Sequence, residues 1–158
     1  ARGNRAQQDQ ISSDGKLIRK ITYTYDKDGN LAEDNSFSPE GKFDKKFTYK
    51  YDERGNVIED NSFDSENRLM KKFTYKYDST GNKLENSRYS SDGKLDKTLT
   101  YQYDQQKNVI EERVISSDGG KATFRYQYEY DTLNNWIRKI KYSEDKPVNM
   151  LVREIEYY

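Results

Sequence analysis

The chain has no cysteine, no histidine and only two prolines in 158 residues. Without the first two there are no disulfides, no thiolate nucleophiles, no imidazole general bases and none of the usual zinc ligands. A lack of cysteine does not by itself assign a compartment. Hydrophobic residues are scarce, at 32%, and no apolar run approaches the length of a membrane-spanning helix. Neither sign of charge dominates: Lys and Arg total 28, as do Asp and Glu. With no basic block, nucleic acid is not expected as the main partner. The first residue is Ala, and no signal peptide or lipid-attachment motif follows, so the expectation is a processed or truncated form.

Charged residues make up 35% of the chain, a composition that points toward disorder unless something else orders it. Aromatics do so here, with 15 Tyr and 6 Phe. Tyrosine carries a large apolar ring and a wet hydroxyl tip, which suits half-buried positions. The composition therefore implies a folded protein with a thin core.

One phrase recurs: TYTYDKDGN at 22–30, TYKYDERGN at 48–56, TYKYDSTGN at 74–82 and TYQYDQQKN at 100–108, with a looser YQYEYDTLNNW at 126–136. Tyr23, Tyr49, Tyr75, Tyr101 and Tyr128 follow one another at intervals of 26, 26, 26 and 27. A second turn motif lies between them, and its Gly15, Gly41, Asn67, Gly93 and Gly119 are each 26 apart. Two turns per repeat, joined by runs of about eight residues, is β-hairpin spacing.

The connecting runs alternate as strands do. In FDKKFTYKY, Phe43, Lys45, Phe47, Tyr49 and Tyr51 share a face. Closing each turn as a type I turn plus a left-handed Gly or Asn pairs Asp52 with Asn56, Tyr51 with Val57 and Tyr49 with Glu59. The other turn then pairs Ser38 with Lys42, Phe37 with Phe43 and Leu31 with Tyr49. This register gathers the Tyr, Phe, Leu and Val side chains on one face. It places Asp34 against Lys46 and Asp60 against Lys72 on the other. The expected fold is all-β, an antiparallel β-hairpin array of about 26-residue repeats and roughly twelve strands in an elongated, twisted or coiled sheet. It reads as one domain: a partial repeat at 1–15, regular repeats over 16–131, and a divergent C-terminal cap at 132–158 that holds Trp136 and Pro147.

The recurring YxYDxxGN…DGKL pattern resembles the RHS or YD-repeat family of bacterial proteins. The resemblance runs from Gly3 to about Tyr142 and is carried by Tyr25-Asp26 with Gly29, Tyr51-Asp52 with Gly55, and Tyr77-Asp78 with Gly81. Tyr103-Asp104 and Tyr130-Asp131 keep the dipeptide, with Lys107 and Asn134 in place of the glycine. The resemblance implies strands spiralling into an extended sheet, a place on the bacterial cell surface, in the periplasm or outside the cell, and a role in enclosing or presenting other polypeptides. A stand-alone repeat protein and a fragment of a larger RHS-type shell both fit.

Three sets of residues are candidates for chemistry. The aspartates Asp26, Asp52, Asp78, Asp104 and Asp131 open turns, where a short acceptor bonds nearby backbone N–H groups. DKDGN at 26–30 begins like a calcium loop but has Leu31 and Phe37 where an EF-hand needs Gly and Glu. No metal or other cofactor is expected. Glu33, Glu59, Glu85 and Glu111 recur on the expected tyrosine face, about 9.6 Å apart by strand spacing. Identical repeats give identical surroundings, and a catalytic carboxylate pair needs different ones. The protein is therefore expected not to be an enzyme.

The third set is the tyrosine face: Tyr23, Tyr49, Tyr75 and Tyr101, with Tyr25, Tyr51, Tyr77 and Tyr103 beside them, and Phe37, Phe63 and Tyr89 nearer the strand ends. These residues form either the core of a rolled sheet or a binding strip for another protein of an envelope or secreted assembly, or for a glycan.

Overall fold

A computed structural model describes residues 3–157; Ala1 and Arg2 of the expected partial repeat, and Tyr158 of the expected cap, lie outside the described residues. The strands are β1 (Gln7–Ile11), β2 (Leu17–Tyr25), β3 (Leu31–Phe37), β4 (Phe43–Tyr51), β5 (Val57–Phe63), β6 (Leu69–Tyr77), β7 (Lys83–Tyr89), β8 (Leu95–Tyr103), β9 (Val109–Ser116), β10 (Lys121–Tyr130), β11 (Trp136–Ser143) and β12 (Lys146–Val152). They form one open antiparallel sheet in chain order, as the spacing of turns implied. No helix among the described residues is long and apolar enough to cross a membrane.

Contacts divide the chain into two compact units: residues through Lys76 with Ser87–Asp96, and Tyr77–Asn86 with the residues from Lys97 onward. In the first unit, Asp52 both starts and closes its turn. Its N–H donates to the Asn56 carbonyl (2.9 Å), and its carbonyl accepts from Gly55 N–H (3.0 Å). Its carboxylate accepts from the N–H groups of Arg54 and Asn56, both at 2.9 Å, and from Asn56 Nδ2 at 2.9 Å. Gly55 has φ 81°, the left-handed conformation that this closure needs. In the second unit Lys107 and Asn134 occupy the same place with φ 64° and 60°, and the same closing bonds form around Asp104 and Asp131. The departures from glycine leave both turns intact.

Pairing next to each turn is as the sequence implied: Tyr51 faces Val57 and Phe37 faces Phe43. One pair further on the register slips. Ile58 is an extra residue in β5, so Glu59 faces Lys50 and Tyr49 faces Asp60. Asp44 is likewise extra in β4, so Asp34 faces Phe47, and Lys46 faces Asn35. The expected pairs Tyr49–Glu59, Leu31–Tyr49, Asp34–Lys46 and Asp60–Lys72 therefore do not form; Asp60 faces Phe73 and Lys72 faces Asn61. A β-bulge sets two residues against one, and with a side-chain period of two this exchanges the faces of everything beyond it.

No hydrophobic side chain is buried among the described residues; the only buried residues are Ser36 and Ser87. Apart from exposed Tyr157, the aromatic residues described are half-buried, and none is fully buried.

Candidate functional site: the tyrosine face

In the first unit the slipped register puts Tyr23, Tyr49 and Tyr75 on one face with Asp34 and Asp60. Each tyrosine hydroxyl donates one hairpin back: Tyr23 to Gln8 Oε1 (3.1 Å), Tyr49 to Asp34 Oδ2 (3.0 Å) and Tyr75 to Asp60 Oδ2 (2.5 Å). The next tyrosines along those strands donate to backbone carbonyls, Tyr25 to Arg5 and Tyr51 to Leu31, both at 2.9 Å. Burial raises the Asp34 carboxyl above its usual range despite the bond from Tyr49. Burial, and then the bond to Asp34, raises the Tyr49 phenol well above the ordinary tyrosine value. The raised Tyr49 phenol is a protonated donor at neutral pH.

In the second unit Tyr101 is hydrogen-bonded to Asn86, and Tyr103 donates to the Lys83 carbonyl at 2.7 Å. The alignment of Tyr128 with Tyr101 needs correction. Tyr126 reaches Glu112 (3.5 Å) and Tyr128 donates to the Val109 carbonyl (2.9 Å), so these two take the places of Tyr101 and Tyr103. Strand β10 has ten residues, one more than β8, and pairs with β9 without a bulge, which makes room for a third tyrosine. That residue, Tyr130, donates to Asp104 Oδ2 at 2.9 Å.

Sequence reading missed the aromatic–cation packing beside these tyrosines. Lys139 lies 4.6 Å from the Tyr126 ring centroid, Lys141 3.7 Å from that of Phe124, and Arg153 4.0 Å from that of Trp136. Tyr128 meets Trp136 edge to face at 6.3 Å. The signal available in the sequence was three tyrosines at alternate positions in YQYEYD, opposite WIRKIKY.

Not every expected member belongs to the tyrosine face. Phe63 faces Lys46, whose ammonium lies 4.5 Å from its ring centroid, and Tyr89 lies 5.9 Å from the Lys72 ammonium. Phe37 faces Lys20. All three stand on the opposite face. Glu33, Glu59 and Glu111 are there too, and face Thr24, Lys50 and Gln102 across their strands. Glu59 bridges Lys50 (2.9 Å) and Lys72 (2.7 Å). Burial opposes its ionisation, but the bonds from Lys72, Lys50 and Asn61 outweigh burial and hold its carboxyl at about 2. Such a carboxylate is a fixed anion and not a proton carrier. Among the described residues no group of three or more Asp or Glu side chains is placed to hold a metal ion.

The fold and face define an all-β hairpin-repeat protein with periodic aromatic rungs. The chain belongs to a protein family described as "Uncharacterised protein", whose model matches residues 2–82. Among solved structures it is similar to a chain of the Photorhabdus luminescens Tc holotoxin pore, with 16% identity and a TM-score of 0.48, over 91% of this chain and 9% of that one. It is also similar to a porin-like protein from Bacteroides uniformis, with 10% identity and a TM-score of 0.40, over 93% of this chain and 89% of that one. A Bacteroides fragilis protein of unknown function is similar at 15% identity and a TM-score of 0.35, over 93% of this chain and 90% of that one. No curated protein matches the sequence.

Proposed function

We propose that this protein is a non-enzymatic RHS- or YD-type repeat scaffold of the bacterial envelope or exterior, a single repeat domain whose tyrosine face engages another protein. The observation that carries the reading is a regular series of half-buried tyrosines in a sheet that buries no hydrophobic side chain among the described residues. Rigid aromatics with few rotamers to lose are suited to anchoring an interface, and hydroxyls already bonded within the sheet hold the rings in position before a partner arrives. The absence of His and Cys from the sequence supports a non-catalytic role. Location and family come from the YxYDxxGN resemblance.

The test is affinity capture from native envelope and secreted fractions, comparing wild type with the triple variant Tyr49→Ser, Tyr75→Ser, Tyr101→Ser. Circular dichroism checks that the variant keeps its strands. A defined protein recovered by wild type and lost by the folded variant is the expected result. Equal recovery by both would remove the tyrosine face from the proposal.

A further inference from the structure

The geometry points to a second binding site, a groove for a neutral oligosaccharide, where β10, β11 and the β11–β12 turn meet around Arg125 and Tyr142, with Tyr126 and Ile110 lining one end. It does not depend on the protein-binding reading of the tyrosine face. Two adjoining cavities of about 320 and 400 Å³ share Arg125, Tyr142 and Asp145 as walls. Each falls within the range of about 300–1,000 Å³ usual for small-molecule sites. Two compartments with a common wall suit two linked rings better than one compact ligand.

The groove arises where the repeat is broken. Glu144 and Asp145, with φ 49° and 61°, form a two-residue turn between the paired Ser143 and Lys146. From that turn Asp145 reaches back to Arg125 Nη1 at 2.7 Å, while Glu111 accepts from Arg125 Nε at 3.4 Å. The guanidinium is thus held between two carboxylates. Tyr142 lies directly across from Arg125 on one side and Pro147 on the other. Its hydroxyl donates to Gln127 Oε1 at 2.8 Å, which holds the ring in place.

The chemistry of the walls selects the ligand. Lys121 and Arg125 are offset by Glu144 and Asp145, so the lining has no surplus charge to recruit a phosphate or another anion. Hydroxyls from Thr123 and Ser143 join these groups in the first cavity, too polar a wall for a lipid chain, while Ile110, Tyr126 and Tyr142 give the second an apolar side. An aromatic ring among dense, charge-balanced donors and acceptors matches a pyranose, which presents C–H patches to a ring face and hydroxyls to its rim.

The test uses the full ¹⁵N-labelled chain titrated with cellotriose, maltotriose and triacetylchitotriose, each followed by amide chemical shifts. At least one sugar should give saturable shifts centred on residues 121–127 and 142–145. Tyr142→Ala should weaken its binding about tenfold or more, the loss of one ring contact. Tyr142→Phe, which keeps the ring, should retain binding. Thr123→Trp, at an exposed strand position that accepts an aromatic, should block the groove, and it serves as the test if Tyr142→Ala fails to fold. The proposal is overturned if no sugar shifts these amides, if the shifts centre on Tyr23, Tyr49 and Tyr75, or if folded Tyr142→Ala or Thr123→Trp binds as wild type does.

Discussion

Tyr49 donates its phenolic hydrogen to Asp34 at 3.0 Å, across fifteen residues of sequence and one hairpin of structure. Both groups are half-buried, so the bond joins a held donor to an acceptor that has lost part of its water. Tyr49→Phe should cost about 1–2 kcal/mol, the range for a bond to a charged acceptor reduced for partial exposure. Urea unfolding of Tyr49→Phe, Asp34→Asn and the double variant measures the coupling. Additive losses would show that the pair does not act as a unit.

Alkali should unfold the protein through its tyrosines. Burial first, and then the nearby Asp104 carboxylate, lifts Tyr128 to about 12, and Tyr49 is shifted in the same direction. A phenol whose folded value is raised keeps its full contribution below the unfolded value of about 10 and loses it as pH climbs through the folded one. Stability should therefore hold through neutral pH and fall above about pH 10. Phenolate absorbance should show late-titrating tyrosines, fewer by one in Tyr128→Phe; ordinary titration of all fifteen would refute this.

Acid should act through Glu59, which titrates at about 2 in the fold against an ordinary 4.5. A lowered carboxyl contributes its stability above the unfolded value and loses it as pH falls through the folded one, here between 4.5 and about 2. Glu59→Gln should lower stability at neutral pH and flatten the pH dependence in that window. An unchanged acid limb would mean that other carboxylates govern it.

The turns make the same left-handed demand at equivalent positions and meet it with different residues. Lys107 takes φ 64° where Gly55 takes φ 81°. A left-handed residue with a Cβ costs about 1–2 kcal/mol, so Gly55→Ala should destabilise by about 1 kcal/mol and Lys107→Gly should stabilise by a similar amount. A Cβ at Gly55 would meet only Asn30 Oδ1, at 3.9 Å, so backbone strain and not crowding is what the first substitution measures. Denaturant midpoints decide both signs.

Much of the fold was legible because its causes are local. Asp52, Arg54, Gly55 and Asn56 carry within five residues the groups that close their turn, and repetition at 26 announces the hairpin array. The tyrosine ladder was legible too, as alternation along β4 and β6. The sidedness of Phe37, Phe63, Tyr89 and the glutamates was not. It depends on Ile58 and Asp44 dropping out of the ladder as bulges, which no nearby turn residue marks. The groove at Tyr142 was hidden for a related reason: its walls come from β10, β11 and the turn after β11, brought together only by pairing.

The amino-acid sequence alone determined the period, the turns and the twelve strands, because each depends on residues within a few positions of one another. Tertiary structure decided which acid meets which tyrosine, that Tyr126 and Tyr128 inherit the places of Tyr101 and Tyr103, and which aromatics share a face. Those outcomes depend on strand register, and with a side-chain period of two a single unpaired residue reverses them.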